Sequence, residues 1–285
     1  MNVITKSSHM YARALELKKR GQSIGLVPTM GALHEGHMSL IRQARKENDV
    51  VIVSIFVNPL QFGGGEDFSR YPRPFKKDFS LCSRASVDYV FNPAPSDLYP
   101  DGFSTYVEVD NLSSVLCGKS RPGHFRGVAT VVNKLCNITC PDIMYVGQKD
   151  AQQSVIIRRM AVDLNLPVVI RVMPIIREPD GLAMSSRNEY LNGREREDAL
   201  VLYNSLMLAK NMVKAGTRDV TRIISAMKKF IRVKKNALID YVAVVEPDTL
   251  VPFKKITGQC LIALAVRIGK TRLIDNIVLT VKKKP

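Results

Sequence analysis

Several things are scarce in this 285-residue chain, and each scarcity closes a door. There is no tryptophan, and aromatic residues make up 7%; without an aromatic RNA-binding motif, recognition of nucleic acid by base stacking has little to work with. No apolar run approaches the roughly 20 residues of a membrane-crossing helix, the longest being Val50 to Val57. The opening segment MNVITKSSHMYARALELKKR lacks the apolar core of a secretory leader, so the expectation is a protein that stays in the cytoplasm. Cysteine is sparse and odd in number: Cys82, Cys117, Cys136, Cys140 and Cys260 are scattered along the chain, which fits reduced thiols better than a disulfide framework. Cys136 and Cys140 stand four apart with no second Cys/His pair at zinc-ligand spacing nearby, so core packing is expected of them.

Acidic residues are in short supply too. Asp and Glu total 26 against 42 Lys and Arg, a formal charge of +16. Such a balance suits nucleic acid, a membrane surface or an anionic small molecule, and the dispersal of the basic residues weighs against nucleic acid. Two familiar nucleotide fingerprints are missing. Cys117–Ser120 and Ile268–Thr271 end like a P-loop, but Ser113 and Leu264 stand where its first glycine belongs, and no G-x-G-x-x-G follows a strand.

What is present reads as an ordinary globular protein, 46% hydrophobic and 24% charged, long enough for about two domains at roughly 100 to 200 residues each. Short β-branched runs recur at Ile24–Thr29, Val50–Val57, Val87–Asn92, Ile143–Gly147 and Val168–Ile176. Helix-period segments lie between most of them, including Leu40–Asn48, Gly127–Ile138 and Ala151–Leu164. Alternation of this kind, with strands apolar on both faces, predicts a Rossmann-like, doubly wound, mostly parallel α/β sheet over residues 1–175. After Ile176 the texture changes. Two helical stretches, Arg194–Ala215 and Asp219–Lys234, precede strand-like runs at Ile239–Val245, Leu261–Ile268 and Leu273–Val281, predicting a smaller C-terminal α+β domain over 176–285 with an antiparallel sheet. The proline-punctuated stretches Tyr71–Pro74 and Asn92–Pro100 are expected to be surface loops, and Lys282–Lys284 a solvated tail.

The segment VPTMGALHEGHMSL, Val27 to Leu40, carries the clearest chemistry. A buried strand runs into a glycine turn, and a helix is expected to begin around Glu35 to His37. Ligands of open α/β sheets sit beyond the carboxyl ends of strands, where a helix N-terminus offers free N–H groups to an anion. His34 and His37, two of only four histidines, are three apart and share one face of the first turn. Gly36 lets the backbone come close. Imidazoles so placed suit the charge stabilisation that phosphoryl and nucleotidyl transfer need. Gly147-Gln148-Lys149-Asp150 puts a cation and a carboxylate at another strand end. Met184-Ser185-Ser186-Arg187 offers two hydroxyls and a guanidinium to a polyphosphate.

Six segments, VPTMGALHEGHMSL, SIFVNPLQFGGGEDFSRYPR, LCGKSRPGHFRGVATVV, GQKDAQQ, REPDGLAMSSRN and KTRLIDNI, together resemble the pantothenate synthetase (pantoate–β-alanine ligase) family. The resemblance spans nearly the whole chain. It implies ATP-dependent condensation of pantoate with β-alanine through a pantoyl adenylate, with magnesium, in a homodimer whose second domain is a lid. Matching motifs place ATP on Met30, Gly31, Ala32, Leu33, His34, Glu35, Gly36 and His37, with His37 as proton donor. They add Gly147, Gln148, Lys149 and Asp150 for the nucleotide, with Lys149 on phosphate and Asp150 at the ribose or the magnesium. Ile176, Met184, Ser185, Ser186 and Arg187 complete the ATP site. Gln61 and Gln153 would hold pantoate, Gln61 lying beside the β-alanine site, and Asn58 of the same NPLQF motif would be a further residue binding these substrates. The magnesium ligands are not specified. Two positions depart from the family pattern, Val146 in place of an aromatic and the glycine-rich turn Gly63–Gly65. Two rival readings follow from the same residues: a different nucleotidyltransferase sharing the H-x-G-H turn, which gives Gln61 and Gln153 no purpose, and a nucleic-acid binder driven by charge, which would show steep salt dependence.

Overall fold

The structure, a computed structural model, describes residues 1–281; the Lys282–Lys284 run lies outside the described residues. The chain runs β1 (Asn2–Ile4), α1 (Ser7–Lys19), β2 (Ile24–Thr29), α2 (Glu35–Glu47), β3 (Val50–Ile55), α3 (Phe75–Arg84), β4 (Tyr89–Phe91), α4 (Pro95–Leu98), α5 (Cys117–Ser120), α6 (His124–Thr139), β5 (Ile143–Gly147), α7 (Ala151–Asp163) and β6 (Val169–Met173). It continues through α8 (Gly193–Lys214), α9 (Val220–Ile231), β7 (Ala237–Val245), β8 (Gln259–Ile268) and β9 (Thr271–Thr280).

β1 to β6 form one wholly parallel sheet in the order β1-β4-β3-β2-β5-β6. Every residue of β3 is buried, as a strand covered on both faces requires, which is why it reads as an unbroken apolar run. The chain leaves β2 toward β3 on one side, and β5 later returns to its other side. The crevice at that reversal is where an open sheet of this kind accepts ligands, so the ends of β2 and β5 are the places to look.

β7, β8 and β9 form an antiparallel sheet. Cys260, Ile262, Leu264, Val266 and Ile268 of β8 pack into one core with Leu202 and Leu206 of α8 and Ile223 and Met227 of α9. The alternate residues Leu261 and Ala263 join the core of the parallel sheet, together with Val155 and Ile156. The second sheet is therefore sandwiched, helices on one face and the first body on the other.

Two expectations about depth are corrected. Tyr71 and Leu98, in stretches expected at the surface, are 5% and 0% exposed, and Pro95–Leu98 is a helical turn. Proline marks an irregular backbone but does not say how deep it lies; the Tyr71 ring packs edge-on against Phe62 while its hydroxyl lies 3.1 Å from Ser186 Oγ. The cysteines are free thiols, four of them buried, and burial pushes the Cys136 thiol up to about 12. Among the described residues no helix is long and apolar enough to cross a membrane.

Candidate active site

The turn from β2 to α2 is built under strain and held from below. Gly31 and Ala32 both take left-handed backbone, φ 83 and φ 50, a conformation that a residue with a Cβ adopts reluctantly. The Asp78 carboxylate, 1% exposed in the first turn of α3, accepts the N–H of Ala32 at 2.9 Å and of Leu33 at 2.8 Å. Each carboxylate oxygen thus fixes one amide of the strained turn. Burial pushes the Asp78 carboxyl upward, and these two N–H bonds pull it back.

Beyond the turn, two histidines cap α2. His34 Nδ1 accepts the Gly36 N–H at 3.1 Å, and His37 Nδ1 accepts the His34 N–H at 3.3 Å. A backbone N–H can only donate, so both rings carry their proton on Nε2. The ring centroids are 4.1 Å apart. Burial, then the charge of Lys149, holds His34 down to about 4. Burial, then His34 and Lys149, holds His37 down to about 3. Near neutral pH the helix N-terminus therefore presents two uncharged rings. A Cβ on Gly36 would lie 2.8 Å from His34 Cε1 and 2.9 Å from its Nδ1. The glycine makes room for the neighbouring imidazole.

Across the cleft, the Pro59–Gln61 turn sits on Gly127 of α6, where a Cβ would lie 2.2 Å from the Leu60 carbonyl oxygen. Asn58, 1% exposed, donates to the Gly127 carbonyl at 3.0 Å and to Gln61 Oε1 at 3.1 Å, and accepts from Tyr99 at 2.8 Å. Gln61 Nε2 lies 3.0 Å from Met30 Sδ. Gln153, in the first turn of α7, faces the same space. Its neighbour Gln152 is occupied elsewhere, holding the backbone of Leu112, Val115 and Cys117. Phe56, Val128, Val131, Val132 and Leu135 make an apolar wall.

The cavity so enclosed measures about 220 Å³. Of the residues singled out in the sequence, it brings together Met30, His34, Gly36, His37, Asn58, Gln61, Gly147, Lys149, Asp150 and Gln153, and on its far wall Ile176, Met184, Ser185, Ser186 and Arg187. Five others do not line it. Gly31 borders a pocket behind the turn, Ala32 and Leu33 are buried on Asp78, Glu35 pairs with Arg42 outside, and Gln148 hydrogen-bonds Asn276. Val146 is buried against the cavity.

Sequence reasoning left out a second layer of charge. Arg187 makes a two-pronged pair with Asp67 at 2.9 and 3.0 Å, and Arg121 does the same with Glu66, both bonds at 2.6 Å. The glycine-rich segment is thus tied to the cleft by its two acids. His124 Nε2 lies 2.9 Å from the Arg121 guanidinium and its Nδ1 2.7 Å from the Gln61 carbonyl. Because the guanidinium only donates, Nδ1–H donates to Gln61. Burial, then Arg121, holds His124 down to about 4. The only signal for Arg121 and His124 was their place in the quoted segment LCGKSRPGHFRG, and for Asp78 there was none.

The chain matches the profile of the pantoate–β-alanine ligase family over residues 2–278. A pantothenate synthetase from Caldicellulosiruptor saccharolyticus is 54% identical over 281 residues, 99% of this chain and 100% of that protein. One from Moorella thermoacetica is 57% identical over 93% of each chain. Among solved structures, pantothenate synthetase from Thermus thermophilus superposes with a TM-score of 0.92 at 41% identity, covering 97% of this chain and 99% of that one. The Francisella tularensis pantoate–β-alanine ligase, complexed with β-γ ATP and β-alanine, superposes with a TM-score of 0.79 at 37% identity, covering 98% and 97%. With the family profile and these relatives each spanning nearly its full length, this chain belongs to the pantoate–β-alanine ligase, or pantothenate synthetase, family.

Proposed function

We propose that the cleft joins pantoate to β-alanine at the expense of ATP in two steps. A pantoate carboxylate oxygen attacks the α-phosphorus, forming pantoyl adenylate and releasing pyrophosphate. The β-alanine amine then attacks the acyl carbon; the acyl–oxygen bond breaks, AMP leaves, and the amine gives up a proton to yield pantothenate. The observation that carries this reading is the meeting, in one cavity, of two neutral histidines at the N-terminus of α2 with Lys149 from the turn after β5, with Gln61 and an apolar wall lining the same space.

Charge building on the phosphoryl oxygens would meet the Nε2–H groups of His34 and His37, the Lys149 ammonium and the 184–187 segment. Since burial holds His37 down to about 3, it acts as a hydrogen-bond donor from a neutral ring. Gln61 and Gln153 grip a hydroxy acid without placing a negative charge beside the attacking carboxylate, and Val128, Val131 and Val132 suit its two methyl groups. Among the described residues no cluster of three or more His, Cys, Asp or Glu could cage a metal, and Asp150 is the one carboxylate lining the cleft. That donor set fits magnesium, which is usually held by one or two carboxylates and the substrate's phosphates; when bound it screens the pyrophosphate's charge. Residues 1–175 would form the catalytic domain and 176–285 the lid, in a cytoplasmic homodimer.

Omission assays test the proposal. Pantothenate and AMP should require ATP, magnesium, pantoate and β-alanine together, and pyrophosphate should form without β-alanine up to one equivalent of enzyme. Pyrophosphate release driven by a mononucleotide instead of pantoate would contradict it.

A further inference from the structure

One quoted segment, Lys270–Ile277, has no role in the chemistry above, although it supplies two of the most buried polar side chains of the molecule. Asp275 and Asn276 are each 2% exposed. As successive residues of β9 they point to opposite faces of the sheet, paired respectively with Leu264, in the core under α8 and α9, and with Ala263, on the face toward the parallel sheet. Each holds a different segment that leads into the cleft wall. Asp275 holds Arg177 by two bonds of 2.7 and 2.9 Å, and Arg177 in turn donates to the Gly181 carbonyl at 3.0 Å, which braces the segment leading to Met184–Arg187.

Asn276 holds the turn that carries Lys149. Its amide nitrogen donates to the Gln148 carbonyl at 2.9 Å and to the Lys149 carbonyl at 3.0 Å, while its amide oxygen lies 3.1 Å from Gln148 Nε2. The two remaining carbonyls of the turn, Gly147 and Asp150, share the single proton of the Ser154 hydroxyl, which lies 3.3 Å from each. The turn is therefore held by side chains from two directions, Ser154 of the helix that follows and Asn276 of a strand more than a hundred residues away. A buried asparagine spending both amide protons on consecutive carbonyls fixes those peptide planes, and with them the direction in which the Lys149 side chain leaves the backbone.

We propose that Asn276 is a positioning residue for Lys149: it holds the Gly147–Asp150 turn from the C-terminal sheet, so that the grip on the nucleotide's phosphates depends on the docking of that sheet. This rests on the reading of Lys149 as a phosphate ligand. An effect through Lys149 must scale with the number of phosphates and must vanish when Lys149 is gone.

The test is a double-mutant cycle on the full chain, measuring affinity for magnesium–ATP and for AMP by calorimetry in the absence of pantoate. Asn276→Ser and Asn276→Asp should each weaken ATP about tenfold, the loss of one hydrogen bond to a charged group, and AMP less than about threefold. In a Lys149→Ala background the same changes should weaken ATP less than about twofold further, the non-additivity expected of coupled residues. Equal factors in both backgrounds, equal weakening of AMP and ATP, unchanged affinity, or loss of cooperative unfolding in both variants would each overturn the assignment and leave Asn276 a residue of the fold. Lys149→Ala without effect on ATP would instead sink the reading of Lys149 itself, a result visible before Asn276 is touched.

Discussion

Gly36→Ala separates the stability of the α2 N-terminus from its chemistry. The added Cβ would lie 2.8 Å from His34 Cε1 and 2.9 Å from His34 Nδ1, several tenths of an ångström inside ordinary contact, so the imidazole must rotate away. Rotation breaks the 3.1 Å bond from the Gly36 N–H to Nδ1, a capping interaction worth about 1 kcal/mol. Against that, alanine is favoured over glycine in a helix by up to about 1 kcal/mol. The two effects nearly cancel, and the urea midpoint should shift by less than about 1 kcal/mol in folding free energy. The adenylation rate should fall about 10²-fold, the cost of withdrawing one preorganised donor from a developing anion. Pyrophosphate release with saturating pantoate and ATP, measured beside urea unfolding, reads both. A stable variant with the wild-type rate would refute the placement of His34 on the reacting phosphate.

Other perturbations probe other walls. Asp78→Asn keeps one acceptor for the Ala32–Leu33 turn and sets an NH₂ group against the other N–H, so folding should lose about 1–3 kcal/mol and adenylation should slow; unchanged urea stability would detach Asp78 from the turn. Gln61→Ala should raise the KM for pantoate about tenfold, the loss of one bond to a charged acid, leaving that for ATP alone, and an unchanged pantoate dependence would count against the assignment. His34, His37 and His124 have folded values lowered to about 4, 3 and 4, so between those values and about 6.5 the unfolded chain binds protons that the native chain refuses. Their stability contribution is whole above about pH 6.5 and is lost as pH falls toward 4, by up to about 1.4 kcal/mol per pH unit for each ring. Urea unfolding at pH 7, 6 and 5 checks this. In His37→Asn the slope should drop by about one proton, and an unaltered slope would show that His37 titrates normally.

Much of this was legible in the sequence because the relevant signals are local. Ile24–Thr29 and Ile143–Gly147 coincide with β2 and β5, since strands covered on both faces are apolar without interruption. β1 escaped notice: three residues, two of them exposed, carry no period. So did α1, whose buried face is only Met10, Ala14 and Leu17. In the site, His34 and His37 stood out because three-residue spacing on a helix start is meaningful by itself. Asp78, Arg121 and Asn276 did not, because what each does depends on a partner more than twenty residues away, and nothing in their own neighbourhood names that partner. Gly36 stands at the right position for a different reason: it accommodates a histidine ring, where the sequence suggests close approach of the backbone to a ligand.

The most direct measurement follows oxygen. Pantoate labelled with ¹⁸O in both carboxylate oxygens would be turned over with ATP, magnesium and β-alanine, and the products weighed by mass spectrometry. If the carboxylate attacks the α-phosphorus in this cleft, each AMP must carry one ¹⁸O and each pantothenate retain the other. Unlabelled AMP, label in inorganic phosphate or pyrophosphate, or no pantothenate at all would contradict the adenylate route.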